Sequence, residues 1–193
     1  MAAPVTRAAA ELPVLQTVRL KGRVGRADLP EADALIDSRL LTGGATVRLT
    51  AEGRARLGEL LAAERAAVDA AAADRVYEGF GTINADFKSV ISQWQAERAD
   101  SAGADTAGAV LERVGELHRA VVPVIQAAAD LVPRLAAYAG RLDAALRLAQ
   151  AGDMAWLTRP LVDSYHTVWF ELHEELIGLA GRTRAGEAES GSG

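Results

Sequence analysis

The spacing of apolar residues changes twice along the chain. Residues 1–10 have no period and are read as loose. Val14, Leu15 and Val18 then share one side of a short helix, predicted from Pro13, which suits a first helical turn, to about Leu20. The basic, glycine-punctuated run Lys21-Gly22-Arg23-Val24-Gly25-Arg26 predicts a loop or a very short strand. Asp28, with Glu31 three positions later and Pro30 between them, is a capping-box-like start. The helix it opens, over about 29–39, buries Leu29, Ala32, Leu35 and Ile36. The period then falls to two. After Gly43-Gly44, Val47 and Leu49 alternate with Thr46 and Arg48, which predicts a hairpin with a two-residue turn and Arg48 facing water.

From Thr50, the predicted N-cap of the next helix, the period lengthens again. Leu57, Leu61, Glu64, Val68 and Ala71 mark a helix over about 51–72. Val76, Phe80, Ile83, Phe87, Val90 and Trp94 continue at alternating steps of four and three, a heptad seam, with a bend expected near 70–74. Residues 97–106 read as an exposed linker. A second seam runs through Leu111, Val114, His118, Val121, Ile125 and Ala128, with Pro123 inside its helix. A third runs through Leu131, Leu135, Tyr138, Leu142 and Ala145 and closes at Gly152-Asp153. The last helix, from about 158 or 160 to 182, carries Leu161, Tyr165, Val168, Leu172, Leu176 and Leu179. Residues 184–193 are small and polar and read as a disordered tail. Consecutive seams with short connections predict a bundle of antiparallel neighbours. The fold class is therefore mostly α, a small head over 1–57 with one short β-hairpin, followed by a helical bundle over 58–183.

The run Leu40-Leu41-Thr42-Gly43-Gly44-Ala45-Thr46-Val47-Arg48, continued by the helix start Leu49-Thr50-Ala51-Glu52-Gly53-Arg54, resembles the wing of a winged-helix domain of the MarR or PadR kind. The resemblance covers about a quarter of the chain. It implies a transcriptional regulator whose wing and helix ends grip phosphates while a recognition helix reads bases. On that basis Arg48 is the first candidate for a phosphate contact, Lys21, Arg23 and Arg26 follow, and Arg39 is the candidate base contact. It also implies double-stranded DNA as partner and a homodimer, since two half-sites need two heads. The chain departs from the family in two ways. Only residues 21–27 stand where the family has a further helix, and the helix in the recognition position carries Glu31, Asp33 and Asp37 against Arg39.

Charge sharpens this picture. The net charge of −5 divides unevenly: residues 1–56 hold nine Lys or Arg against six Asp or Glu, and the remainder holds twelve against twenty. A basic head on an acidic body points to polyanion contact at one end. There is no cysteine, which excludes disulfides and thiolate metal sites. No apolar run is long enough for a membrane span or a signal peptide, so a cytoplasmic protein without a membrane partner is expected.

Candidate chemistry within the bundle is sparse. His118 occupies a seam position, as a ligand contact or a core histidine. Asp163 and His166, three apart, have the spacing of a di-iron pair, but no second such pair exists, and His166 and His173 lie about 10 Å apart along a helix. No metal or cofactor is expected. Trp94, Trp169 and Phe170, with His118 and His166, are candidates to wall an effector pocket. Asn84, Asp86 and Lys88 read as a solvated or interface flank. No catalytic triad, phosphate loop or carboxylate pair is present, so the chain is not read as an enzyme. The reading is a winged-helix DNA-binding regulator with a dimerising, effector-binding bundle. The alternative is a module of the same shape that docks a protein or small molecule and does not bind DNA.

Overall fold

The computed structural model describes residues 4–29, 31–99 and 105–182, and these fall into two compact units meeting at Ala67 and Val68. The division comes ten residues after the predicted one, because the helix that follows the hairpin belongs wholly to the first unit. Eight α-helices and one two-stranded antiparallel sheet make up the regular structure of the described residues, a mostly helical fold with a small hairpin. The linker residues 100–104, Pro30 and the tail from 183 onwards lie outside the described residues.

The first unit opens with α1 (Pro4–Lys21), longer than predicted. Its start is rich in alanine, which favours helix without leaving an amphipathic stripe to detect, and Pro13 sits inside the helix rather than opening it. Strand β1 (Val24–Gly25) leads into a 3-10 turn (Arg26–Asp28) and the short helix α2 (Ala32–Asp37). The predicted capping box does not form: Asp28 lies in the 3-10 turn, and Glu31 is the N-cap without a side-chain cap bond. Strand β2 (Thr46–Val47) pairs antiparallel with β1, Val47 opposite Val24, and one further antiparallel bridge joins Leu49 to Leu41. The 46–49 segment is thus the middle of three extended pieces. Helix α3 (Ala51–Ala66) closes the unit. Val14, Leu15, Val18, Leu29, Ala32, Leu35, Leu41, Val47, Leu57 and Leu60 form its core. The buried Glu11 of α1 accepts from Arg56 Nε of α3 at 2.9 Å, tying the two long helices together.

The second unit holds α4 (Ala70–Ala99), α5 (Asp105–Leu131), α6 (Ala137–Gln150), the single turn α7 (Ala155–Thr158) and α8 (Tyr165–Leu179). The predicted bend at 70–74 is instead a break at 67–69. There Asp69 Oδ1 accepts from the Ala72 amide at 2.6 Å, and a new helix starts. The expected linker is shorter than predicted, since α4 runs to Ala99 and α5 begins at Asp105. The last predicted helix starts later than expected, at Tyr165, and the separate turn α7 precedes it. Arg159 is extended (φ −57°, ψ 124°) ahead of Pro160, as the residue before proline prefers, and Ser164 caps α8 by accepting from the Thr167 amide. Leu161, predicted as a seam residue, lies between the pieces at φ 64° and is 89% exposed.

Helix α8 is enclosed on most of its sides. Val168, Leu172, Leu176 and Leu179 pack with Phe80 and Phe87 of α4, Val114, Val121 and Ile125 of α5, and Leu142 and Leu146 of α6 in one continuous core. Enclosure of one helix by its neighbours explains why buried residues on α8 exceed a single stripe.

Candidate functional site

The best-defined local geometry in the first unit surrounds the base of the hairpin. Thr50 Oγ1 accepts from the Gly53 amide at 2.9 Å, which caps α3, and donates to the Arg39 carbonyl at 2.7 Å. The Thr50 amide donates to the Leu40 carbonyl at 3.1 Å. A Cβ on Gly53 would collide with that same Leu40 carbonyl. The Leu-Thr-x-x-Gly sequence therefore has a mechanical reason: threonine locks the helix start to the end of α2, and glycine lets the backbones touch.

The hairpin is wider than a two-residue turn. Thr42 donates its amide to the Arg48 carbonyl at 2.9 Å, but the Arg48 amide donates to Thr42 Oγ1 at 3.0 Å rather than to a carbonyl. With Thr46 and Val47 paired to β1, the ladder does not continue to Gly43-Gly44, and only Gly44 takes a positive φ, 124°.

The candidate phosphate contacts are not equivalent. Arg48 is exposed, as predicted, and with Arg23 and Arg39 it makes no ion pair among the described residues. Arg26 is different: its guanidinium holds Asp33 Oδ1 at 2.8 Å, and that hydrogen bond, reinforced by the carboxylate charge, raises its pKa. Lys21 is exposed but already engaged in an interaction of its own. Arg39 holds φ 61° just beyond α2, where glycine or asparagine is normally preferred. Sequence reasoning missed Arg54, whose Nη1 folds back to the Leu49 carbonyl at 3.1 Å.

In the second unit the pocket candidates separate into two groups. His166, Trp169 and Phe170 of α8 meet Asn84, Phe87 and Lys88 of α4 around a cleft of about 100 Å³. His118 and Trp94 are not part of it. Trp94 is buried in the core, and half-buried His118 places Nδ1 3.4 Å from Tyr165 Oη. Burial lowers the pKa of both His118 and His166; for His118 the charge of Asp143 opposes it. Of the residues expected on a solvated or interface flank, Asn84 is 4% exposed and accepts from Trp169 Nε1 of α8 at 3.0 Å, while Asp86 is exposed. An aromatic stack runs along this side: Phe87 lies 4.3 Å from Trp169 between ring centres, and Phe80 lies 5.2 Å from Trp169 and 5.4 Å from His173.

The opposite side of α8 carries a feature that apolar spacing did not reveal. Arg134 grips buried Glu175 with two bonds of 2.7 and 2.9 Å, and Tyr138 donates to the same carboxylate at 3.3 Å. Arg141 pairs with Asp163 at 2.9 Å and with buried Glu171 at 2.7 Å. Burial pulls the Arg141 pKa down, but the Asp163 hydrogen bond and the Glu171 charge outweigh it and the net shift is upward. Burial also raises the Tyr138 and Tyr165 phenols. Arg134, Tyr138 and Arg141 recur at steps of four and three, and Glu171 and Glu175 at a step of four, so the stripe was available to a search for charge at helical spacing. Asp163, which has the spacing to pair with His166, is held instead by Arg141. Among the described residues no three His, Asp or Glu side chains gather as a metal site, and no helix is long and apolar enough to cross a membrane. Compared with family models, with curated proteins and with solved structures, the chain matches none.

Proposed function

We propose that the protein is a DNA-binding regulator of winged-helix type, its head gripping phosphates through the hairpin and its helical body serving self-association and an effector. The observation that carries this reading is the order of the extended pieces. The 46–49 segment lies between β1 and Leu41, after a short helix and directly before the capped start of α3. Arg48 on that hairpin and Arg39 at its base make no ion pair among the described residues, and Arg39 occupies a left-handed position that disfavours a side chain by about 1–2 kcal/mol. Strain of that kind is more readily retained where the side chain has work to do.

One observation favours the docking alternative. Asp33 neutralises Arg26, and Glu31 and Asp37 stand exposed beside it on α2, a face that repels phosphate. Direct base reading is therefore weak in this proposal, and affinity comes mainly from the backbone. Fluorescence anisotropy on duplex DNA at several salt concentrations separates the two readings. Binding should weaken steeply with salt, by about 0.9 logarithmic units per phosphate contacted. Arg48→Ala should weaken binding to all sequences alike and reduce that slope by about one. Arg39→Ala should narrow the gap between preferred and random DNA. Absence of binding to any duplex at about 50 mM salt would promote the docking reading.

A further inference from the structure

Helices α4 and α8 present one face of the second unit together. They run antiparallel: Arg182 lies 3.6 Å from Asp74, Tyr77 stacks on His173, Asn84 accepts from Trp169 Nε1, and Phe87 lies 6.2 Å from His166 between ring centres. Glu78, Gly81, Ala85 and Lys88 recur along α4 at steps of three, four and three, which makes one helical stripe. The first three are exposed and Lys88 is half-buried. His166, Phe170 and Glu174 recur along α8 at steps of four, with Phe170 37% exposed between two half-buried neighbours. Lys88, His166 and Phe170 line the same cleft, so the two stripes lie on the same side of the unit.

This face is complementary to itself. Because the helices are antiparallel, Lys88 and His166 share one end of it and Glu78 and Glu174 share the other. A two-fold axis that lies in the face and crosses both helices turns each stripe back onto itself. Along α4, Glu78 and Lys88 are equidistant from position 83, and so are Gly81 and Ala85. Along α8, His166 and Glu174 are equidistant from Phe170. The bond between Asn84 and Trp169 puts positions 83 and 170 at one level, so a single axis serves both helices. Charge that matches its own reversal about one axis is what an isologous contact between identical chains requires.

We propose that this face joins two copies of the chain, Phe170 meeting Phe170 of the partner subunit on the axis and Glu78 meeting Lys88 of the partner subunit on both sides of it. His166 then faces Glu174 of the partner subunit. Gly81 comes opposite Ala85 of the partner subunit. A Cβ added at Gly81 would meet nothing within 4 Å in one copy, so the space there is open and the two α4 backbones can approach closely. A central aromatic anchor with charged pairs around it is the ordinary anatomy of a protein interface. This inference rests on the self-association proposed for the helical body and not on DNA binding by the head.

Sedimentation of the full chain over a concentration series, without DNA, tests the assignment. The wild type should form a dimer. Glu78→Lys alone and Lys88→Glu alone each set two like-charge pairs across the axis, and each should weaken the dimer about tenfold. An equimolar mixture of the two variants should regain the lost affinity, because their heterodimer has opposite charges at both pairs. Glu78 and Lys88 stand about 15 Å apart along α4, so no direct contact within one chain accounts for that rescue. Phe170→Glu should weaken the dimer about thirtyfold, as loss of a central anchor does. Should that variant fail to fold, the mixture decides alone. A wild type that stays monomeric overturns the proposal together with self-association. A dimer indifferent to the charge variants, or a mixture no tighter than its components, overturns the proposal and leaves self-association to another face. Failure of the head to bind DNA bears on the regulator reading and not on this interface.

Discussion

Gly53 and Gly58 lie in the same helix and answer to different forces. Alanine at either gains about 1 kcal/mol of helix propensity. At Gly58 an added Cβ meets nothing within 4 Å, so Gly58→Ala should raise stability by about that amount. At Gly53 the Cβ collides with the Leu40 carbonyl, a backbone atom that cannot swing aside, and the forced separation also strains the Thr50 cap. Gly53→Ala should lower stability by about 1–3 kcal/mol, with the opposite signs visible in paired urea titrations. His118 and His166 supply a second prediction at this scale. Burial holds their folded pKa values below the ordinary imidazole value of about 6.5, so the unfolded chain binds protons more readily. Their contribution is fully present above pH 6.5 and is lost as pH falls through the depressed folded values. Moving from about pH 7.5 to about pH 5.5 should therefore destabilise the wild type more than His118→Gln or His166→Gln. Equal losses would mean that neither ring is held neutral by the fold.

Helix α8 shows how an element can be central without being uniformly apolar. One flank stacks Trp169 and His173 on the α4 aromatics, and the other presents Glu171 and Glu175 to arginines at the α6 end of the bundle. A buried ion pair contributes little net stability against an apolar pair of similar volume, but removing one partner strands the other. Arg134→Met should destabilise the protein by about 3–5 kcal/mol, because Glu175 keeps only the Tyr138 bond. Adding Glu175→Leu should recover most of that loss. If the double variant is as unstable as the single one, Arg134 acts through packing rather than through charge. Arg141 Nη2 and Glu171 Oε1, both buried, lack a hydrogen-bond partner among the described residues, which makes the Glu171 end the weaker half of this stripe.

Over the whole molecule, two compact units each carry a core of their own, and neither core explains a partially exposed aromatic on α8. Phe170, Leu148 and Leu161 are exposed apolar side chains on the second unit, and the self-association proposed for a regulator would cover such side chains if it joins them in one patch. Light scattering at high protein concentration should report twice the monomer mass. A monomer mass throughout the concentration range would remove self-association from the proposed function.

Helical period and turn chemistry determined a great deal locally. The Thr50 cap, the buried Val47 beside exposed Arg48, the α4 seam through Phe80, Phe87 and Trp94, and the third seam through Leu135 and Leu142 all follow from short-range spacing, and each is present. What period could not show is what faces what. The partner of Asn84 is 85 residues away, that of Glu175 is 41 away in Arg134, and that of Glu11 is 45 away in Arg56. Spacing leaves Asn84 on a solvated or interface flank without deciding between them, because it sees polarity and not the indole that satisfies it. Leu161 looked buried because its side chain is apolar, while Pro160 and the Ser164 cap ended the helix on either side of it. Local sequence sets where helices can start and stop. Burial of a polar group depends on a partner brought by another element, and only the packed bundle decides that.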